Sequence, residues 1–334
     1  MALEQKSRRV TECPIIGSRK LIFVFVFLSL FFLNGPAANA EVELRSSSPG
    51  QALLSRSSIL LPYGQVIFRY NEKSPKQVFI IGMSHRDTLT RGNASQTSRV
   101  QAEVYKIGEW LIHNEGVQLL LPEGFFKSKS TELKQANEKI KTGLEYKDAC
   151  PAPADIKTIQ DRLADDQIFI NAEMLLKESH PLRLKQVEDW VLYESVCKSL
   201  LKLASSDKDS CDATLVPELD YLQQRRLAAM LQKIPEVIDE EFQHKDIKEQ
   251  KAIFTIGMMH VHTIIKYLND KKIMIRPPVT GSEKGKEHSA QLNLFKDNFG
   301  ISIILPKTLA DNQDLLKTHQ LDKITAQTRS FRLD

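Results

Sequence analysis

Two histidines follow apolar runs of the same pattern near opposite ends of the chain. His85 ends the segment 77–85, QVFIIGMSH, and His260 ends the segment 252–260, AIFTIGMMH. Each run predicts a buried strand that ends at a glycine, where the backbone can turn, with the histidine in the loop beyond it. Open α/β sheets bind ligands beyond the carboxyl ends of their strands. The pattern therefore predicts that the two imidazoles meet at one edge of a sheet, although they are distant in sequence.

A carboxylate follows a third apolar run. Residues 117–121 predict another strand, and Glu123 lies directly after it in the sequence Leu-Pro-Glu-Gly. If this strand is parallel to 77–81, Glu123 leaves the sheet at the same edge as His85. Two imidazoles and one carboxylate are a common ligand set for a catalytic divalent ion, because they leave a coordination position open for water. Glu123 would be either a third ligand or the base that takes a proton from that water.

The elements around these residues predict an α/β fold. Strand-like runs at 65–70 and 77–81 are separated by the polar segment 71–76, which predicts a hairpin. Residues 95–113 predict a helix, and with the strand at 117–121 they complete a strand-helix-strand unit, for which parallel strands are expected. The helix has one apolar stripe, formed by Val100, Val104, Ile107 and Leu111.

The middle of the chain predicts helices, and the last part predicts further strands. Residues 126–250 have few β-branched runs and are expected to form a mostly helical cap, in which 182–187 is ambiguous between strand and helix. After the second histidine we expect a helix at 261–268, strands at 272–276 and 301–305, and a polar tail from residue 310.

We therefore expect a central mixed sheet with parallel core strands, flanking helices and a helical cap inserted between the two Gly-x-x-His motifs. The expected organisation is a signal peptide at 1–40, a flexible leader at 41–64, a catalytic domain at 65–276, a linker or loop at 277–290, and a C-terminal strand and tail at 291–334.

The first 40 residues have the pattern of a secretory signal. A basic region precedes an uncharged apolar run at 21–33, and Ala38-Asn39-Ala40 fits the small-x-small rule for cleavage. The apolar run is shorter than the roughly 20 residues that a membrane span needs. Cleavage is expected after Ala40, with secretion or delivery to a periplasm. An uncleaved membrane anchor is the alternative, and only in that case would a membrane be a partner.

The charge of the remaining chain argues against a nucleic-acid partner. The full sequence has 46 basic and 42 acidic side chains, a net charge of +4. Without residues 1–40 the counts become 41 and 40, so no strongly basic surface is expected.

Three cysteines follow the signal segment. In an oxidising compartment, one disulfide and one free thiol is the simplest arrangement for an odd number of cysteines. Cys197 and Cys211 flank a polar loop and are one candidate pair, while Cys150 is an equally admissible partner for either. Three free thiols are the alternative.

The order of these motifs resembles the TraB/GumN family, which is related to the Tiki metalloproteases and more distantly to the ChaN and erythromycin-esterase proteins. The similarity covers about residues 66–275. It rests on Gly-Met-Ser-His at 82–85, the glutamate after the next strand, Arg-x-x-x-Met at 226–230 and Gly-Met-Met-His at 257–260. The resemblance implies a metal-dependent hydrolase, in the Tiki branch a peptidase acting on peptide or protein substrates, with Mn²⁺, Co²⁺ or Zn²⁺ near the paired motifs.

The resemblance also implies roles for single residues. His85 and His260 match the motif histidines that would bind the metal, and Glu123 matches the acidic residue that would be ligand or base. Arg226 resembles the arginine that would stabilise developing negative charge, and Glu188 the mid-chain glutamate. Arg226 has the equally simple alternative of a surface arginine on a helix. Glu188 has that of a carboxylate at a helix start, where its charge interacts favourably with the helix dipole.

Several positions depart from the family pattern. The family often has small residues inside the two motifs, whereas this chain has Met83, Met258 and Met259, which would crowd the site or make it more apolar. His262 adds an imidazole that would either support the metal ligands or be exposed. Ser84 would at most support the site, because it lacks the Gly-x-Ser-x-Gly turn of a serine hydrolase.

Two other functions are compatible with the same residues. A ChaN-like protein would bind haem or iron, with His85 or His262 as an axial ligand. A family member that has lost its metal would serve as an interaction domain. The sequence does not determine the oligomeric state.

Overall fold

A six-stranded sheet forms the centre of the structure, a computed structural model that describes residues 63–85, 95–127, 155–165, 170–205, 215–278 and 288–324. These residues all belong to one compact unit of the chain, 43–334. The predicted signal peptide and nearly all of the predicted leader lie outside the described residues. Within the described ranges, no helix has the length and apolar character needed to cross a membrane.

The central sheet is parallel except at one edge, which confirms the predicted α/β fold. Its order is β1-β8-β2-β5-β3-β4, and only β1 runs antiparallel to its neighbour. Two further strands, β6 and β7, form a separate antiparallel pair. The strands are β1 Gly64–Tyr70, β2 Gln77–Met83, β3 Leu119–Pro122, β4 Arg183–Leu184, β5 Lys251–Gly257, β6 Lys272–Ile275, β7 His288–Gln291 and β8 Gly300–Pro306.

Helices connect and cover these strands. A single turn of 3₁₀ helix at Met258–His260 links β5 to the helix after it. In the described part of the chain the α-helices are α1 Ser95–Glu115, α2 Ile156–Ala164, α3 Ala172–Ser179, α4 Trp190–Ser205, α5 Leu215–Gln243, α6 Val261–Asp270, α7 Asn293–Lys296, α8 Lys307–Ala310 and α9 Gln313–Thr318.

Several elements follow the sequence patterns closely. The four predicted stripe residues of α1 are at most 1% exposed, and this helix packs against the sheet and against α2 and α3. Every residue of β2 is buried, because helices cover both faces of the sheet. Such a strand is apolar without alternation. The ambiguous segment 182–187 contains only the two-residue strand β4.

Different helices lie on the two faces of the sheet. At Gly82, an added β-carbon would lie 2.6 Å from a side chain of α6. At Gly64 it would meet Ile107 of α1 and Ile304 of β8 instead. Ile304 is in register with Ile81, so α1 covers the face to which residues 81 and 83 of β2 point. Through the β2–β5 register, residues 255 and 257 of β5 point to that same face.

The predicted hairpin between β1 and β2 is wrong, because β8 lies between these strands. It is antiparallel to β1 and parallel to β2. The connecting residues bind the turn before β8: Asn71 donates to the carbonyl of Asn298 at 3.2 Å, and the backbone N–H of Gly300 donates to the carbonyl of Lys76 at 2.8 Å. A six-residue connection can pass over one strand, since neighbouring strands are about 4.8 Å apart.

The C-terminal strand is part of the core of the sheet. Ile301 and Ile303 of β8 are fully buried between β1 and β2. The segment predicted as a linker, 277–290, ends in β7, which pairs with β6. Residues 288–306 therefore return the chain from the small sheet to the central one.

This topology predicts a large stability effect at a position near the end of the chain. Ile303→Ala should lower the free energy of unfolding by about 2–5 kcal/mol, because it leaves a cavity in the middle of the sheet. Lys317→Ala, on the exposed side of α9, should change it by less than about 0.5 kcal/mol. Urea unfolding followed by circular dichroism measures both, and equal small effects would contradict the central position of β8.

Candidate functional site

Glu123 is the centre of the candidate site. It follows β3 directly, and its backbone N–H donates to the carbonyl of Thr255 at 3.0 Å, which extends the contact between β3 and β5 by one residue. Its side chain is only 9% exposed. The carboxylate accepts a hydrogen bond from the backbone N–H of Gly257 at 2.6 Å and lies 2.8 Å from Nη2 of Arg226.

Two imidazoles approach the two oxygens of this carboxylate. Nε2 of His85 lies 3.0 Å from Oε2 of Glu123, and Nε2 of His260 lies 3.6 Å from Oε1. The side chain of His85 is 44% exposed, whereas that of His260 is 9% exposed. The structure thus brings together the three residues that the strand ends predicted to meet.

These contacts shift the pKa values of Glu123 and His85 in opposite directions. Burial alone raises the pKa of Glu123, but hydrogen bonds with His260 and His85 and their charges lower it well below its ordinary value. Enclosure by neighbouring groups alone lowers the pKa of His85, but its hydrogen bond to Glu123 and the charge of that carboxylate raise it above 6.5. The pair therefore favours a carboxylate beside a protonated imidazole.

The glycines of the two motifs have different structural roles. A β-carbon at Gly257 would lie 3.3 Å from Nε2 of His85 and 3.4 Å from Oε2 of Glu123, so the absent side chain leaves room for the site. Gly82 instead makes room for α6. The register pairs Met83 with Gly257, so the motifs are offset by one residue. Neither glycine has a positive φ angle, but β5 ends at Gly257 and the 3₁₀ turn begins at the next residue.

Arg226 and Glu188 form a buried ion pair with two parallel contacts. Nε and Nη2 of Arg226 lie 2.7 Å from Oε1 and Oε2 of Glu188. Their residues are 6% and 1% exposed, which excludes the alternative of a surface arginine. Glu188 also accepts a hydrogen bond from the backbone N–H of Gly124 at 3.2 Å. Glu188 therefore holds both Arg226 and the turn that carries Glu123.

Arg226 stays charged in this setting. Burial alone lowers the pKa of its guanidinium, but the negative charge of Glu123 and the hydrogen bond and charge of Glu188 raise it above the ordinary value. The guanidinium consequently supplies a permanent positive charge beside Glu123.

Three aromatic side chains pack beside the guanidinium. The ring of Tyr193 lies 5.3 Å from the guanidinium carbon of Arg226. Phe126 contacts the rings of Tyr193 and Trp190 edge to face, at 4.9 Å and 5.0 Å between centroids. Trp190 is 40% exposed, so this aromatic group offers accessible apolar surface next to a charged one.

Sequence analysis missed two polar residues next to the site. The hydroxyl of Thr255 donates to Oε1 of Glu173 at 2.9 Å, and both residues are buried. After Lys251 at its start, Thr255 is the one polar residue of β5, a signal that could have marked it. Glu173 gave no signal, because Asn171 caps α3 and an acidic residue in the first turn is typical of any helix.

The remaining predicted residues are less closely connected to the site. Nδ1 of His262 lies 3.1 Å from the carbonyl of Gln320, which ties α6 to the C-terminal segment. Ser84 is half-buried beside the motif histidine. Cys197 forms no disulfide with another described residue. Cys150 and Cys211 lie outside the described residues, so the disulfide between Cys197 and Cys211 stays a prediction.

The motif methionines are divided between the core and the surface. Met83 is 1% exposed and Met258 is 5% exposed, and both belong to the hydrophobic core. Met259 is 45% exposed, next to His260 in the 3₁₀ turn. Of the three methionines, only Met259 presents an accessible side chain.

Another group of potential metal ligands lies elsewhere in the described structure. Ligand atoms of Glu241, His244 and Asp246 lie within 4.8 Å of one another. Glu241 already forms ion pairs with Arg183, at 2.6 Å, and with Lys185, so its charge is compensated. The charge of this group is compensated, but its ligand atoms lie closer together than those of His85, Glu123 and His260, which are not all within 4.8 Å of one another.

A cleft of about 620 Å³ lies away from the Glu123 site. Gln77 and Lys251, at the amino ends of β2 and β5, contribute to its lining together with Trp110 and Phe242. The candidate site is at the carboxyl ends of the same strands, so the cleft is not the place where its side chains meet.

The buried ion pair predicts a stability effect at Glu188. Glu188→Gln should lower the free energy of unfolding by about 3–5 kcal/mol, because it leaves Arg226 with less compensating charge in a buried position. Glu194→Gln, which affects an exposed pair with Lys198 on α4, should cost less than about 1 kcal/mol. Chemical unfolding of the two variants compares them directly, and equal effects would contradict a buried structural pair.

The coupled titration of His85 and Glu123 predicts a pH effect in metal-free protein. NMR titration should give His85 a pKa above 6.5, and Glu123→Gln should lower it. Because the folded-state pKa is raised, this contribution to stability is complete below the unfolded value and is lost as pH rises through the folded value. An unchanged His85 titration in the variant would contradict the pairing.

Comparison with known proteins gives no match for this chain among protein-family models, curated proteins or solved structures.

Proposed function

We propose that this protein is a hydrolase whose reaction takes place at the carboxyl edge of β2, β3 and β5. The observation that carries the proposal is the carboxylate of Glu123, which contacts His85, His260 and Arg226 together. Such a group can transfer a proton through an imidazole and stabilise negative charge through a guanidinium. Both tasks are needed when water attacks a carbonyl group.

The donor types at this edge suit a divalent cation. Imidazole nitrogens and a carboxylate are ligands that Zn²⁺, Mn²⁺ and Co²⁺ accept in proteins, and His85, His260 and Glu123 would hold the ion. A bound ion would lower the pKa of a water molecule and polarise a carbonyl group. Four groups already face the Glu123 carboxylate, whose two oxygens have about four acceptor positions. Binding a cation therefore requires the exchange of at least one of these contacts.

Arg226 would stabilise negative charge on the substrate. Its planar guanidinium is oriented by the two contacts with Glu188, so little reorganisation is needed when charge develops. The same contacts prevent a simple replacement by lysine, which cannot form two parallel hydrogen bonds with one carboxylate.

A second mode of hydrolysis is favoured by the exposure of His85. Its imidazole is 44% exposed and lies 3.0 Å from Oε2 of Glu123, an arrangement in which a carboxylate orients a histidine that acts as general base. In this mode a neutral His85 takes a proton from water directly. Because its pKa is raised, the rate would increase with pH as the imidazole loses its proton.

Peptides or proteins are the substrate class that we propose. The resemblance of the motif order to the TraB/GumN family and the Tiki metalloproteases supports this class. The aromatic group of Phe126, Trp190 and Tyr193 supports it independently, because it places accessible apolar surface beside a cation. An apolar residue of a peptide could pack there while its backbone carbonyl faces the charged groups.

We further propose that the protein acts after export. The support for this is the signal pattern of residues 1–40, with its small-x-small cleavage sequence. A secreted or periplasmic hydrolase would meet peptide substrates outside the cytoplasm.

The proposal predicts that activity depends on both motif histidines. Metal-stripped protein covering residues 41–334 should gain peptide hydrolysis when Mn²⁺, Co²⁺ or Zn²⁺ is added. His85→Ala and His260→Ala should each lower kcat/KM by about 100-fold or more, as expected when a group that handles the reacting proton or its ligand is removed. Bound metal is measured by elemental analysis of the same samples.

His288→Ala is the matched control, because His288 is exposed in β7 of the separate small sheet and belongs to neither group of potential metal ligands. It should keep both metal content and activity. Metal-independent hydrolysis that requires His85 would support the second mode. A haem absorption band, or the absence of hydrolysis with every ion and peptide tested, would contradict a hydrolase.

A further inference from the structure

Glu173 has a buried carboxylate that the proposed mechanism does not yet use. Glu173 is the second residue of α3 and is 2% exposed. Its Oε1 accepts the hydrogen bond from Thr255, whereas Oε2 has no hydrogen-bond partner in the described structure. Burying a carboxylate oxygen without a hydrogen-bond partner costs free energy, so such atoms are rare in folded proteins. An unpartnered oxygen of this kind indicates a position where a ligand can bind.

The carboxylate of Glu173 lies on the same face of β5 as the site. Thr255 and Gly257 are two residues apart on this strand and point to the same side. The β-carbon position of Gly257 is where His85 and Glu123 approach, at 3.3 Å and 3.4 Å. Two residues along a strand span about 6.8 Å. Glu173 is therefore anchored to β5 two residues before Gly257, and its negative charge contributes to the raised pKa of His85. The donor atoms of Glu173, Glu123 and His85 are not all within 4.8 Å of one another, so binding one ion would require these side chains to move closer together.

The charges of this region do not balance when the imidazoles are neutral. Three carboxylates, those of Glu123, Glu173 and Glu188, are enclosed near one guanidinium, that of Arg226. Among the described residues that contact one another here, two negative charges are left without compensation. Enclosed charges are paired or bind metal ions, and one divalent cation would supply the missing charge.

We propose that Oε2 of Glu173 is an additional ligand for a divalent cation held by His85, His260 and Glu123. The site would then have two carboxylate ligands, one that follows β3 and one from α3. This inference rests on the proposed metal-dependent function and adds a residue outside the Gly-x-x-His motifs. Thr255 has the role of a positioning residue, because its hydroxyl occupies Oε1 and leaves Oε2 free.

A purely structural role for Glu173 makes the opposite prediction for metal-free protein. An acidic residue in the first turn of a helix favours the helix dipole, and the hydrogen bond with Thr255 could serve only to anchor α3. In that case the removal of the charge would destabilise the fold whether or not metal is present. If the carboxylate is a ligand for a cation, its charge is uncompensated in the metal-free protein. Removal of this charge should then leave the stability of the metal-free protein unchanged or raise it.

Titration of metal-stripped protein with Mn²⁺, Co²⁺ or Zn²⁺ by calorimetry tests the inference. Protein expressed from the full-length chain should bind one ion, and Glu173→Gln should weaken the affinity by about 10- to 100-fold, the range found when groups around a metal are removed. Glu173→Met, which removes every polar atom, should weaken it at least as much. Glu103→Gln is the matched control, because Glu103 is 1% exposed but both of its oxygens are hydrogen-bonded, to Thr308 and Arg99.

Thermal unfolding of the same proteins provides the second readout. Without metal, Glu173→Gln should have a Tm equal to or above that of the wild type. With saturating metal, the wild type should gain more in Tm than the variant, because tighter binding stabilises the folded state more. A Tm several degrees lower for metal-free Glu173→Gln would overturn the inference in favour of the structural role.

The outcomes separate this inference from the proposed function. If the wild type binds metal and hydrolyses peptides while Glu173→Gln binds the ion with unchanged affinity, only the role of Glu173 is overturned. If the wild type binds none of the ions, the inference and the metal-dependent function fail together.

Discussion

The carboxylate of Glu123 joins groups from three other parts of the chain. Its partners are His85 after β2, Arg226 on α5, and Gly257 and His260 around the end of β5. The hydrogen bonds and charges of the two imidazoles keep the pKa of this enclosed carboxylate low, although burial alone raises it. Because an enclosed charge without partners is costly, the fold and the site constrain each other at this residue.

The order of the sheet makes this convergence possible. β5 lies between β2 and β3 although it comes more than 120 residues after them, and it thereby places the second motif between the first motif and Glu123. The register then decides which side chains face the site. Since Gly257 points toward His85 and Glu123, a larger residue there would enter the space that the two side chains occupy.

A hydrolase site at this edge would depend on a balance of charges. Arg226 compensates part of the negative charge of Glu123 and Glu188, and His85 compensates more of it when protonated. Glu173 adds a further negative charge beside them. A bound cation or a protonated imidazole can compensate the remaining negative charge. The cation corresponds to the proposed metal-dependent mode of hydrolysis, and the imidazole corresponds to the mode in which His85 is the base. The shared requirement is a positive charge next to Glu123.

The sequence alone determined the identity of the strands β2, β3 and β5, the helix α1 with its buried stripe, and the meeting of His85, Glu123 and His260 at one edge. These features follow from periodicity and from the rule that parallel strands deliver their carboxyl ends together. Only the tertiary structure decided that β8 separates β1 from β2, that Arg226 is buried against Glu188, and that Glu173 lies beside the site. Each of these depends on contacts between residues distant in sequence. Local patterns carry no information on such pairings, because a polar residue in a helix has the same pattern whether it faces solvent or an enclosed carboxylate.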